Sequence, residues 1–381
     1  MNIIKNEIKK IFNPINMIVA ALITIIIWFL FISFNIEHFP NGSNIYDYDT
    51  SVYMLKNYGT SMDEEEFKDF KLYREEKIKE ANRYLLSDEE FAKENIESYE
   101  EYISFTSKIG NNQKVDKLIN KVMFEDNVEV FWELQSLDNL IESYEDKEFL
   151  ISSNYEEESP AQKARHEEIK DSNGFNSPLN FMIFRNYNSL IFGINLLVLI
   201  CVPILICPIF INDNKNKVNY IQYSTKAGRK LFIKKIIASL ISAIVITTIH
   251  LGILFTVYKS NNTYMFWDCS ISSFISNMLS WYDITFGQYI ILSVILTYIV
   301  SIITSIVTIC VSYRTSTYIS AIGIQIPILF IFGCWLKAIG MDYLTTTYYS
   351  KYILHIIYGL LILISSVMLI RRIKREKISD I

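Results

Sequence analysis

Six stretches of this chain carry no Asp, Glu, Lys or Arg, and they leave few folds open. They cover residues 11–36, 186–212, 236–258, 284–313, 315–336 and 352–370. Each is rich in Ile, Leu, Val and Phe. Each is close to the roughly 20 apolar residues that cross a bilayer as a helix. Ile and Val favour strands in water, but in hydrocarbon an unpaired backbone amide costs several kcal/mol. An apolar segment of this length therefore has to satisfy its own backbone as a helix. The expected fold is an all-α polytopic membrane protein with six transmembrane helices.

Charge gathers in one block. Residues 37–185 hold 34 of the 41 acidic and 17 of the 36 basic side chains, a local net of −17 in a chain of net −5. This segregation excludes a single soluble domain and a disordered chain, and five scattered cysteines make no disulfide scaffold. Lys and Arg set the orientation. Lys5, Lys9, Lys10, the run from Lys215 to Lys235, Arg314 and the group Arg371–Lys377 fall on one side. The short loops opposite carry only Lys259, Lys337 and Lys351. The basic side is expected to be cytoplasmic, with both termini, and the acidic block outside. No small-residue cleavage site follows the first span, so it is expected to stay as an anchor.

The expected organisation follows directly. An amphipathic interfacial helix (1–14) precedes spans at 15–36, 186–211, 236–258, 284–313, 315–336 and 352–370. A mainly helical extracellular domain fills 37–185, a cytoplasmic element 212–235, and a short tail 371–381. Within the polar block, Ser61 with Glu64 and Ser87 with Glu90 have capping-box spacing. Phe67, Phe70, Tyr73, Ile78, Ala81, Tyr84 and Leu85 approximate a helical stripe. A second helix carries Phe91, Ile96, Tyr99, Tyr102 and Ile103 and can stop at Gly110. Val115–Val122 and Leu134–Ile141 suggest two more. Residues 152–178, with Pro160 and Pro178, read as a linker. Tyr46, Tyr48, Tyr53 and Tyr58 suit an interfacial aromatic belt. The acidic surface suits either solubility or attraction of cationic cargo, and solubility is the simpler account.

Several chemistries are missing. The glycines are never spaced for a phosphate-binding G-x-x-x-x-G-K-[ST] loop, and there is no H-E-x-x-H or C-x-x-C. His38, His166, His250 and His355 are far apart, and Cys201 and Cys207 suit the apolar interior of a span. The spans carry no acid or base for a coupling ion, with only His250 and His355 ionisable. If the chain transports, its energy comes from elsewhere.

Two elements face the basic side. Ile3, Ile4, Ile8, Ile11 and Phe12 recur at helical spacing with Lys5, Lys9 and Lys10 off that face, and Pro14 ends the segment before the first span. Residues 212–235 run from Asp213 through Tyr220 to Gly228-Arg229 and Lys234-Lys235, longer than topology requires. A short helix from Asp213 to about Tyr223 with a break near Gly228 is expected. A basic loop touching anionic membrane lipid is the simpler alternative.

Ile3–Phe12, Phe210-Ile211-Asn212-Asp213 and Tyr223–Arg229 with Lys234-Lys235 together resemble ABC-2 type transporter permeases. The resemblance spans the whole topology, and its specific motif is the 210–235 stretch. The family's coupling-helix Gly is absent, and Lys226-Ala227 stands where a Pro often precedes the Arg. The resemblance implies a bacterial cell-membrane exporter subunit that is not itself an enzyme. Its partners would be an ABC ATP-binding subunit and a second permease copy or paralogue, with no nucleic acid. ATP and Mg would sit on the partner, with no cofactor in this chain. Asp213, Tyr220, Gly228, Arg229 and Lys234 would couple to the ATPase, while Ile4, Ile8 and Phe12 would seat the interfacial helix. The cargo would be a peptide, a lipid-linked molecule or a drug-like compound. The alternative is a non-transporting membrane sensor or assembly protein with a ligand-binding outer domain.

Overall fold

The computed structural model describes residues 2–106, 110, 112–153, 159–172, 174–216, 228, 230–276, 278–341 and 343–378. Helices dominate, and no β-strand occurs among the described residues. The chain divides into two compact units. One comprises Met1–Phe39, Arg185–Tyr264 and Gly287–Ile381, and the other Pro40–Phe184 and Met265–Phe286.

The first unit starts with α1 (Asn2–Ile11) and α2 (Pro14–Glu37), which contains a π-helical turn at Trp28–Ile32. The expected break lies between them. The Asn13 side chain accepts from the Asn16 amide at 3.0 Å, and Pro14 takes the first helical position, where a missing N–H is harmless.

The second unit holds α3 (Asn44–Tyr58), α4 (Glu64–Ser87), α5 (Glu89–Ala92), α6 (Tyr99–Thr106), α7 (Gln113–Asn120), α8 (Glu129–Glu145), α9 (Lys147–Ser153) and α10 (Pro160–Asp171). The stripe read from the sequence supplies its core. Phe67, Phe70, Ile78, Ala81 and Leu85 of α4 are buried with Phe131, Leu134, Leu137, Leu140 and Tyr144 of α8.

The caps differ from expectation. Asp63, not Ser61, caps α4: its carboxylate accepts from the Glu65 and Glu66 amides, both at 2.9 Å, and Glu66 returns a bond to the Asp63 amide at 2.8 Å. Asp88, not Ser87, caps α5, while Ser87 donates to the Tyr84 carbonyl at 2.8 Å. In both places an ionised acceptor nearer the apolar run takes the cap. The helix expected over Phe91–Ile103 is split into α5 and α6, with Asn95 at φ 55° between them. Part of the expected linker is α10. Pro160 starts that helix at its first turn, and Ser159 and Gln162 close a capping box around it.

The polar unit also has a second chain segment, Met265–Phe286, which by sequence reads only as a short loop between spans. Buried Arg165 of α10 donates to the Ser280 carbonyl at 2.9 Å and to Asp283 at 2.5 Å. The Phe274 amide donates to the Phe175 carbonyl at 2.8 Å, and the Phe274 ring meets Tyr144 edge-on at 5.1 Å. Phe274 and Leu279 are buried in the same core as α4 and α8.

The first unit continues with α11 (Phe181–Lys215), α12 (Lys230–Tyr258), α13 (Phe286–Ser312), α14 (Tyr318–Trp335) and α15 (Ile353–Ile378). With α2, these give six helices long and apolar enough to cross a membrane. The apolar window of α11 is 78% buried and that of α2 only 11%, so α11 is central and α2 peripheral. A Cβ on Gly193 would lie 2.7 Å from Ile32 Cγ1, so α2 approaches α11 closely at a glycine. Pro327 sits inside α14 without ending it, and Phe286-Gly287 opens α13.

Hydroxyl and amide contacts join the central helices. Tyr187 and Ser293 share a hydrogen bond at 2.5 Å, Asn195 donates to Thr297 at 3.1 Å, and Ser312 donates to Cys207 at 3.1 Å, all between α11 and α13. Thr247 of α12 donates to Ser301 of α13 at 2.8 Å. Apolar burial gives little preference for one neighbour over another in lipid, so such bonds help to select the pairing.

The two-segment core yields a test. Residues 40–184 produced alone leave the partners of Phe274 and Leu279 uncovered. Each buried apolar side chain is worth about 1.5–3 kcal/mol. A fragment with 265–286 joined through a flexible linker is expected to melt cooperatively, well above 40–184 alone, by circular dichroism. Equal midpoints would contradict the two-segment core.

Candidate functional site

Charged side chains of the helical unit meet at the helix ends that carry the basic flanks. α1 packs along α12. Ile4, Ile8 and Phe12 are half-buried and Ile11 fully buried, as an amphipathic helix requires. Glu7 is on the same face and only 4% exposed, and it accepts from Lys10 at 2.7 Å. Sequence periodicity had sorted α1 into apolar and basic faces, and Glu7 belonged to neither. Its spacing of three from Ile4 and four from Ile11 is the signal that places it inward.

Asp213, near the end of α11, forms an ion pair with Lys235 in the second turn of α12. Both side chains are largely buried, at 14% and 5% exposure. The cation is Lys235, one residue beyond Lys234, which is half-buried. Helical geometry decides between the two, since Lys235 shares the buried face of Phe232, Ser239 and Ser242. The pair brings together the two helices that flank residues 216–229. Gly228 has φ 46°, a left-handed conformation that favours glycine, and so marks a turn before α12. Tyr220 and Arg229 lie outside the described residues, as do residues 217–223 of the short helix expected from Asp213, while Asp213–Lys215 belong to the end of α11.

Neighbouring helices add polar ties. Tyr318 donates to the Asn212 side chain at 2.7 Å, joining α14 to α11. Gln325 of α14 donates to Ser312 at 3.4 Å. The Arg372 guanidinium of α15 lies 3.3 Å from the centre of the Tyr313 ring and donates to Glu376 at 2.8 Å. Glu376 is 4% exposed. A charge so buried is retained only with partners, because desolvation otherwise forces it neutral.

The other candidates have structural partners. His250 Nε2 is 3.2 Å from Thr24 Oγ1, and Cys201 approaches Thr24 while Cys207 meets Ser312. No group of three or more His, Cys, Asp or Glu able to hold a metal occurs among the described residues. The tyrosines expected in a belt pack inside the polar unit instead. Tyr53 stacks on Tyr73 at 4.1 Å, Tyr58 meets Phe70 edge-on, Tyr46 stacks on Trp132, and Tyr48 meets Phe266.

Several acids of that unit brace it. Tyr58, Tyr73, Tyr84, Tyr99 and Tyr144 donate to Asp69, Glu133, Asp126, Asp138 and Glu64 at 2.5–3.2 Å. Burial, reinforced by these carboxylates, pushes the phenols well above their ordinary range, so they remain donors at physiological pH.

Six apolar helices with polar groups confined to their interior contacts and ends define a multi-pass membrane protein. No family model, curated protein or solved structure matches the chain.

The ion pair makes a sharp prediction. Lys235→Met alone strands a buried Asp213 and is expected to cost about 3–5 kcal/mol of stability. Lys235→Met with Asp213→Leu is expected to recover most of that loss. Denaturant unfolding of the purified protein in detergent measures both. A double variant as unstable as the single one would show that the two charges are not partners.

Proposed function

We propose that this chain is the membrane-embedded permease subunit of an ABC-2 type exporter, powered by ATP hydrolysed on a separate subunit. The observation that carries it is the buried Asp213–Lys235 pair, which brings together the helices flanking residues 216–229, with α1 packed on one of them. A force applied to the segment between them reaches both α11 and α12. α11 is the central helix, so its displacement reaches α2 through Gly193 and α13 through Tyr187, Asn195 and Cys207. Packed helices respond by rigid-body shifts and small sliding motions.

Three further points support the proposal. The chain has no phosphate-binding loop of its own. The Asp, Glu, Lys and Arg side chains of the helical unit gather at helix ends, and the mid-span His250 is engaged by Thr24, so no carboxylate or ammonium is available mid-span to couple an ion gradient. The sequence of the 210–235 element resembles the coupling element of these permeases. In this proposal the termini and residues 216–229 lie in the cytoplasm of a bacterial cell, the polar unit lies outside, and a second copy or paralogue completes the assembly. The cargo is a peptide, a lipid-linked molecule or a drug-like compound.

Affinity purification of the intact chain from its native membrane is expected to recover a nucleotide-binding ATPase at about one subunit per permease. A chain lacking 217–227 is expected to reach the membrane and lose that subunit. Recovery of no ATPase, or equal recovery after the deletion, would overturn the proposal.

A further inference from the structure

α13 carries a buried hydroxyl-bearing residue in each turn from Tyr289 to Ser312. Most are satisfied. Thr297 and Thr308 donate to backbone carbonyls four residues earlier, Ser301 receives Thr247, and Ser293 and Ser312 bond to α11. The pattern fails at one level. Thr304 and Ser305 of α13 and Ser239 and Ser242 of α12 are no more than 1% exposed, and their hydroxyl oxygens have no partner among the described residues.

Register places the four hydroxyls together. Thr248 meets Tyr298 and Thr247 meets Ser301, both at 2.8 Å, so α12 and α13 run antiparallel. Ser301 also donates to the Ala243 carbonyl at 3.3 Å. One turn further along that pairing brings Ser242 level with Thr304 and Ser305, and Ser239 follows one turn later. An unmade hydrogen bond on a buried hydroxyl costs about 1–3 kcal/mol, and four within two adjacent turns would add up steeply. A stripe of alanines would have packed there without that cost.

We infer that α12 and α13 enclose a small cluster of bound water at the level of Ser242 and Ser305. The chemistry selects the ligand. Each hydroxyl both donates and accepts, and Lys235, the nearest charged residue along α12, lies two turns from Ser242 and is already paired with Asp213. Water meets these requirements, and buried waters typically serve polar groups that the chain leaves unmet. At this level the two helices therefore touch through exchangeable hydrogen bonds instead of interlocking apolar side chains. Sliding one helix along the other then swaps water partners without opening a void. The inference stands independently of the exporter proposal.

The test uses the full chain in lipid bilayers. Solid-state NMR follows magnetisation passing from water protons to backbone amides. Build-up at Ser242 and Ser305 is expected to be several-fold faster than at Ile253 and Ile295, whose side chains are exposed and apolar. The Ser242→Ala/Ser305→Ala variant is expected to lose the fast build-up without gaining thermal stability. Slow transfer at Ser242 and Ser305 in the unaltered protein would overturn the inference. So would a raised melting temperature in the double variant, since that would mean that alanine relieved dry, unsatisfied hydroxyls. If the variant fails to fold, the unaltered protein alone decides.

Discussion

In hydrocarbon a backbone amide has no water to turn to, and much of this structure follows from that constraint. It makes each apolar stretch a helix despite the abundance of Ile and Val. It also drives charge out of the spans, so that ionised groups gather at helix ends or in the polar unit. What remains inside is neutral and mostly paired: Tyr187 with Ser293, Asn195 with Thr297, Thr247 with Ser301. These contacts set helix neighbours where apolar side chains, equally content against lipid, would leave the choice open.

The helix ends face the opposite problem. There, charges are close enough to the apolar interior to be desolvated, and each survives through its partner. Asp213 and Lys235 neutralise each other, Lys10 serves Glu7, and Arg372 is held between Glu376 and the Tyr313 ring. The first of these pairs joins the two helices on either side of residues 216–229, so one interaction fixes how α11 and α12 are held together there.

Much of this was legible from charge positions alone. The six spans, the break at Pro14 and the α4 stripe depend on patterns repeated over many residues, which a single exception does not hide. What escaped depends on single residues or distant partners. Glu7 is one acid on a helix otherwise divided into apolar and basic faces. Lys235 and Lys234 are adjacent, and only the buried face of α12 separates them. The α13 hydroxyls were invisible to a search for ionisable groups. The 265–286 segment joins the polar unit through Phe274 and Arg165, whose partners lie about 100 residues away in sequence, and no local pattern announces that. Pro160 resembled a chain breaker because the same residue that ends a helix also begins one well.

An exporter subunit of the kind proposed needs its basic helix ends and its polar residues 40–184 on opposite sides of one membrane. Single cysteines at Lys5, Lys374 and Glu75, in a chain whose five native cysteines are replaced, test this in sealed right-side-out vesicles treated with a membrane-impermeant maleimide. Glu75→Cys should react in intact vesicles, and Lys5→Cys and Lys374→Cys only after permeabilisation. Reaction of either terminal cysteine in intact vesicles, or protection of Glu75→Cys, would contradict the account.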